Sequence, residues 1–346
     1  MIRFALIAAS TLGFFLTAAL GNLMVPLLRA FQDRQQKPEL PQQTTGRNDP
    51  DEEPERPAQP PTMGGLCLMV GVLAAVGVGW TAACVAEPQL LGTEGLFSTR
   101  LLIGLFGALL FGGVGLADDL ARIRRRSPLG LRRKTRLLLE AGAGAVVLVL
   151  LGAARCLPTG LALPGLGYVE LGVLAPLVWE LGLVALAECV RISDGVDGLV
   201  CGTAFAAMLG LMLAETVLGW FPLAVFPAAL AGSLMAFLLW NFHPAKLGLG
   251  SVGSLFLAGA LGCGPLCIGW PDLTLPLGLP YWLEGGMVAL QIVVFRASKG
   301  RRQLFRTAPL HRWMEVRGSS PVQIFYTFCV VALLGTALAL QWAKIS

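Results

Sequence analysis

The stretch "LLIGLFGALLFGGVGLADDLARIRRR", Leu101 to Arg126, decides the class of the fold. From Leu101 to Ala117 it is an unbroken apolar run, and it then passes through two aspartates to four arginines. A helix that spans a bilayer needs about 20 mostly apolar residues, and a charged hem marks where it leaves the hydrocarbon. Runs of the same kind recur along nearly the whole chain. We read ten spans: Ala5 to Leu28, Met63 to Cys84, Leu101 to Ala117, Leu137 to Ala154, Leu171 to Val190, Leu199 to Leu218, Phe221 to Trp240, Ser254 to Gly269, Pro280 to Phe295 and Ile324 to Trp342. With 55% apolar residues, 14% charged residues and a mean hydropathy of +0.71, the composition excludes an ordinary soluble globular domain. The expectation is an all-α integral membrane protein, a single polytopic domain over 1–346 whose backbone is satisfied within its helices. The first run lacks a small-residue cleavage site and is read as a true span rather than a removable leader.

Charge separates the loops. Arg122, Arg124, Arg125, Arg126, Arg132, Arg133, Lys134 and Arg136 follow the third span, and Arg296, Lys299, Arg301, Arg302, Arg306, Arg312 and Arg317 follow the ninth. The even-numbered loops carry almost no lysine or arginine, so the positive-inside rule places the odd loops in the cytoplasm and both termini outside. Residues 30–61, with "RNDPDEEPERP", have the composition of a partly disordered acidic cytoplasmic loop, a solvated tether by the plainest account. The eight cysteines are scattered singly in apolar surroundings, without a zinc or disulfide pattern. Nucleic acid is not an expected partner, because the arginines lie beside helix ends, where anionic headgroups are available.

Four polar clusters carry the chemistry. Asp118 and Asp119 end the third span, and two adjacent carboxylates repel unless a cation or arginines offset them. Two readings stand: a magnesium site completed by water and substrate phosphates, or an interfacial acid pair neutralised by Arg122 and its neighbours. In "RISDGVDGL", Asp194 and Asp197 share a helix face if a helix starts there, while Gly195 and Gly198 admit a close ligand. The segment "WNFHPAKLGLGSVGSLF" offers Asn241 and Lys246 beside a glycine and serine bend. "RTAPLHRWMEVRG" holds His311, one of two histidines, between arginines. All four lie on inner loops and can converge on one cytoplasmic-face cleft, which suits phosphoryl transfer between a soluble anionic donor and a lipid phosphate. A transporter fits poorly, since the polar clusters gather at one face rather than at the midplane.

The order of "PTMGG" (Pro61 to Gly65), the aspartate pair with its basic loop, "SDGVDGL", "NFHPAK", "GSVGS" and "APLHRWMEVRG" resembles the polyprenyl-phosphate N-acetylhexosamine-1-phosphate transferase superfamily. "PTMGG" and the last motif resemble its phospho-N-acetylmuramoyl-pentapeptide transferase branch. That resemblance implies ten transmembrane helices, magnesium, a UDP-linked donor sugar, undecaprenyl phosphate as acceptor, lipid I and UMP as products, a homodimer and the bacterial inner membrane. It also implies catalytic or metal roles for Asp118 and Asp119, a catalytic role for His311, and substrate contacts from Arg122, Arg136, Asp194, Gly195, Asp197, Asn241 and Lys246.

Several positions depart from the family pattern. Ser251 stands where the family has a magnesium-binding aspartate, and Gly248 where it has an aromatic residue against the uracil. Arg122 and Arg136 stand in place of lysines, Glu188 and Arg191 in place of asparagines, and Arg312 and Trp313 in place of two histidines. No lysine precedes "PTMGG" where the pattern has one. A serine hydroxyl neutralises no charge, so three functions follow for test: a divergent transferase of the lipid I type, a silent homologue that binds lipid phosphate or a cell-wall partner, and a transferase for another UDP-N-acetylhexosamine.

Overall fold

The computed structural model describes residues 2–35, 60–92, 96–125, 130–163 and 167–345. The acidic stretch expected over 30–61 falls mainly outside them. The long helices are α1 (Ile2–Gln35), α2 (Gly65–Ala86), α3 (Phe97–Arg125), α4 (Arg133–Ala153), α5 (Ala175–Ser193), α6 (Leu199–Val217), α7 (Val225–Asn241) and α8 (Gly250–Ile268). After a single turn, α9 (Thr274–Leu277), come α10 (Leu279–Ala297), the short α11 (Leu310–Val316) and α12 (Pro321–Ile345). Each of the ten expected runs falls on a helix. Among the described residues nine helices are long and apolar enough to cross a membrane, or ten if Pro271–Leu277 and Leu279–Ala297, which meet at 81°, form one broken span. The protein is an all-α, multi-pass membrane protein.

The bundle is built around α8. All its residues from Ser251 to Ile268 are buried, and α3, α5, α2 and α6 pack on it. Small residues let the backbones approach, as packing in lipid requires where no hydrophobic force draws helices together. A Cβ on Gly115 of α3 would collide with the Ser251 carbonyl of α8. That close crossing sits one turn before Asp118 and Asp119, and so delivers both aspartates to the N-terminus of α8. Arginine enrichment in the last turn of α3, at Arg122, Arg124 and Arg125, favours the end of that helix through its dipole.

One feature was not anticipated: an antiparallel hairpin between α4 and α5, β1 (Gly160–Leu163) with β2 (Gly167–Glu170), in which Gly160 pairs with Glu170 and Leu163 with Gly167. It lies at the end of the bundle away from the aspartates, where the indole Nε1 of Trp342 donates to Ala162 O at 2.8 Å. A strand pair of four residues each carries too little periodicity to stand out between two apolar helices.

Candidate active site

At the opposite end of the bundle, four segments that are distant in sequence form one continuous set of contacts. Asp119 accepts from the first free amides of α8, Ser251 N at 3.2 Å and Val252 N at 3.0 Å. Those amides have no partner inside their own helix, so a carboxylate from α3 does the work of an N-cap. Asp118 accepts from Leu131 N at 2.8 Å, from the Ser251 hydroxyl at 2.7 Å and from Arg122 Nη2 at 3.0 Å. Arg122 Nη1 also lies 3.7 Å from Asp119. Both aspartates are buried, and one guanidinium answers both charges.

The bend that follows α7 is strapped to the start of α2. Gly248 N donates to Pro61 O at 2.8 Å, while Gly64 N and Gly65 N donate to Gly248 O and Leu249 O, each at 2.9 Å. Gly250 at φ +73° turns the chain into α8, and a side chain there would strike both Asp119 and Met63. "PTMGG" and "GLGS" are thus two halves of one turn structure beside the aspartate pair.

Asn241, the last residue of α7, reaches the α5–α6 connection. Its Oδ1 accepts from Gly198 N at 3.1 Å, and its Nδ2 donates to Leu247 O at 2.9 Å. The amide is buried and its groups are engaged inside the protein, which makes it a clamp between two loops. Asp197 accepts from Ala245 N at 3.1 Å and lies 2.9 Å from His243 Nδ1. Asp194 and Asp197 do not share the first turn of a helix: α5 ends at Ser193, Asp194 is its C-cap, and α6 starts only at Leu199, after Gly198 at φ +76°. Asp197 therefore braces the loop after α7. Asp194 is exposed. Desolvation by the protein around it, then the negative charge of Asp119, push its carboxyl up to about 7, with Arg122 and Arg191 opposing the shift.

His311 is buried at the start of α11, with Nε2 turned to Gly195 so closely that a Cβ there would strike the ring. Glu284 of α10 fixes it: Leu310 N and His311 N donate to the carboxylate at 3.1 and 3.0 Å, and His311 Nδ1 lies 3.2 Å from Oε2. Glu284 was missed in the sequence. An acid within an apolar span is itself a signal, because a charge placed in a membrane needs a partner.

Arg136 is buried and bonded to Glu188, with Nη2 at 2.9 Å and Nε at 3.1 Å, and it lies 3.4 Å from Glu140. Arg191 holds the other side of Glu188 at 3.2 Å. The family departures Arg136, Glu188 and Arg191 are therefore one ion-paired cluster, in which each charge explains the next. Lys246 is exposed on the bend, and its side chain has no hydrogen bond or ion pair among the described residues. Arg312 is exposed, and Trp313 is covered by the guanidinium of Arg317 at 3.6 Å from the ring centre.

A glycosyl transferase family 4 profile matches residues 101–268, which run from α3 through α8 and contain every site segment except "PTMGG", Glu284 and His311. A phospho-N-acetylmuramoyl-pentapeptide-transferase of Synechococcus sp. (strain JA-3-3Ab) is 34% identical over 339 residues, covering 94% of this chain and 88% of the relative. The chain belongs to the phospho-N-acetylmuramoyl-pentapeptide transferase family. A relative of the same name from Synechococcus sp. (strain RCC307) is 37% identical over 81% of this chain and 75% of its own length. One from Clostridium kluyveri is 29% identical over 96% and 97%.

Members of such a family are expected to use a divalent metal, and the aspartate pair does not fit one as it stands. Asp118 Oδ2 already accepts from a hydroxyl and a guanidinium, and the other three carboxylate oxygens each accept from a backbone amide. Magnesium needs several oxygen ligands in near-octahedral array, and the side chains set against these two carboxylates are a donating hydroxyl and a guanidinium rather than a further acceptor. Among the described residues no group of three or more His, Cys, Asp or Glu is placed to hold a metal ion.

Proposed function

We propose that the protein transfers phospho-N-acetylmuramoyl-pentapeptide from its UDP derivative to undecaprenyl phosphate, giving lipid I and UMP. The observation that carries this reading is the junction of the four polar segments at one end of the bundle, with Asp194, Arg122 and Arg191 close to a sealed aspartate pair and His311 against Gly195. An oxygen of the lipid phosphate attacks the sugar-bound phosphorus of the donor; a P–O bond forms, the bond to the UMP oxygen breaks, and UMP leaves with the electron pair. Little covalent machinery is needed for that step, because positioning and cations carry most of it.

The geometry supports the following roles. Arg122, held by Asp118 and Asp119, and Arg191, held by Glu188, are fixed cations near Asp194 for the phosphates of donor and acceptor. Lys246 adds a mobile charge at the rim. Asp194 and the adjoining Gly195 face the nucleotide, and His311, aligned by Glu284, donates a hydrogen bond from Nε2 towards the transferred group. Asn241, Asp197 and Arg136 hold the loops that present these groups. Magnesium, expected from the family, enters no step here. We place the chain in the bacterial cytoplasmic membrane as a homodimer, with both termini outside and the site facing the cytoplasm.

The test is UMP release by the purified protein in detergent, given the UDP-linked pentapeptide sugar, polyprenyl phosphate and magnesium. Turnover that vanishes in Asp119→Ala supports the reading; turnover with another UDP-N-acetylhexosamine alone replaces the donor. Ser251 bonded to Asp118 favours a second reading, a silent homologue that binds lipid phosphate. Lipid phosphate bound without any turnover would establish that reading instead.

A further inference from the structure

We propose that the Asp118–Asp119 pair is closed to divalent cations by Ser251 and Arg122, and that the residue at 251 sets whether the pair takes a metal. The proposal concerns the pair itself and holds whether or not the chain turns over. Each of the four carboxylate oxygens already accepts at least one hydrogen bond, and five of the donors are fixed by the fold: Leu131 N, Ser251 N, Val252 N, the Ser251 hydroxyl and the Arg122 guanidinium. The neighbouring backbone closes the approaches. A Cβ at Gly130 would lie 2.5 Å from Asp118 Oδ1, and one at Gly250 would lie 2.7 Å from Asp119 Oδ2, so the main chain lies against two of the three oxygens that accept a single hydrogen bond; the third, Asp119 Oδ1, has the Arg122 guanidinium at 3.7 Å.

Charge points the same way. Arg122 serves as the countercharge for two carboxylates on its own helix, three and four residues before it, where side chains share a face. Bringing in a divalent cation would set it against that guanidinium and displace the serine hydroxyl, with no third carboxylate among the described residues placed beside the pair as a ligand. An aspartate at 251 reverses both conditions. It supplies an acceptor where there is a donor, and it places three carboxylates together that only a cation reconciles.

Mn2+ alone is the probe, followed by loss of the free-ion electron paramagnetic resonance signal and by thermal unfolding of the full chain in detergent. The wild type is expected to show no saturable site and no Mn2+-dependent shift in Tm. Ser251→Asp should bind one ion at least about tenfold more tightly than the wild type, and be less stable than it in chelator but restored by Mn2+. Adding Asp119→Asn to Ser251→Asp should abolish that binding. Should Ser251→Asp fail to fold, Arg122→Gln provides the second variant, since releasing the guanidinium should raise Mn2+ affinity above the wild type. One Mn2+ bound by the wild type as tightly as by the folded variant, and lost in Asp119→Asn, overturns the proposal. Absence of UMP release leaves it intact, so its failure and that of the transferase reading are separately visible.

Discussion

The two acidic clusters at the polar end of the bundle are built in opposite ways. Asp118 and Asp119 lie on the last turns of α3, out of solvent, with every oxygen accepting from a fixed donor. Asp194 caps α5 and is exposed, and desolvation by the protein around it and the charge of Asp119 raise its carboxyl to about 7. The first arrangement builds the framework: it ends α3, starts α8 and anchors Arg122. The second leaves a carboxyl free to change its proton and its partner. Like residue types therefore serve different ends, and what separates them is the supply of donors rather than the distance between acids.

The largest effect should come from breaking the sealed pair. Asp119→Ala strips two helix-start amides and Arg122 of their acceptor, so UMP release should fall to background and stability in detergent should drop by on the order of 3 kcal/mol, read from denaturant or thermal unfolding. Retained turnover would show that the pair is dispensable. Next is Glu284→Gln, which keeps the shape but removes the charge facing His311. Loss of the negative partner should loosen the hold on the imidazole and reduce kcat more than it raises donor KM, read from steady-state UMP release. A purely structural glutamate would lower the unfolding temperature and leave kcat of the folded variant unchanged.

Asp194→Asn sharpens the comparison from the open side. A carboxyl raised to about 7 is protonated below that pH and ionised above it. On the proposed role, in which the ionised carboxylate accepts a hydrogen bond from the nucleotide, donor affinity should weaken as pH falls through about 7, and the asparagine variant should lose that step. The smallest effect belongs to Lys246→Ala, whose exposed ammonium is screened by salt: donor KM should rise only a few fold, about 2 to 5, and less at high ionic strength. An effect independent of salt would place Lys246 in direct contact with the phosphates.

Much of this was legible in the residues. Ten apolar runs gave the helices because span length and the cost of bare backbone in lipid leave few alternatives. The aspartate pair, "SDGVDGL", the bend after α7 and His311 could be picked out because charge is sparse in this chain. Three features could not. Asp194 and Asp197 were expected on one helix face, but Gly198 at positive φ delays the helix and sends the two side chains to different loops. Glu284 sat unnoticed in an apolar run, since its partner lies 27 positions away at the start of α11. The departures Arg136, Glu188 and Arg191 stand apart in the sequence, and only the fold joins them in one ion-paired cluster.

By itself the sequence determined that this chain crosses a membrane many times and which of its few charges gather at helix ends, because hydropathy and span length act locally and need no knowledge of neighbours. Only the tertiary structure decided which donor meets which carboxylate. Hydrogen bonds act over about 3 Å, and a contact such as Ser251 to Asp118 exists only once α3 and α8 have crossed at Gly115.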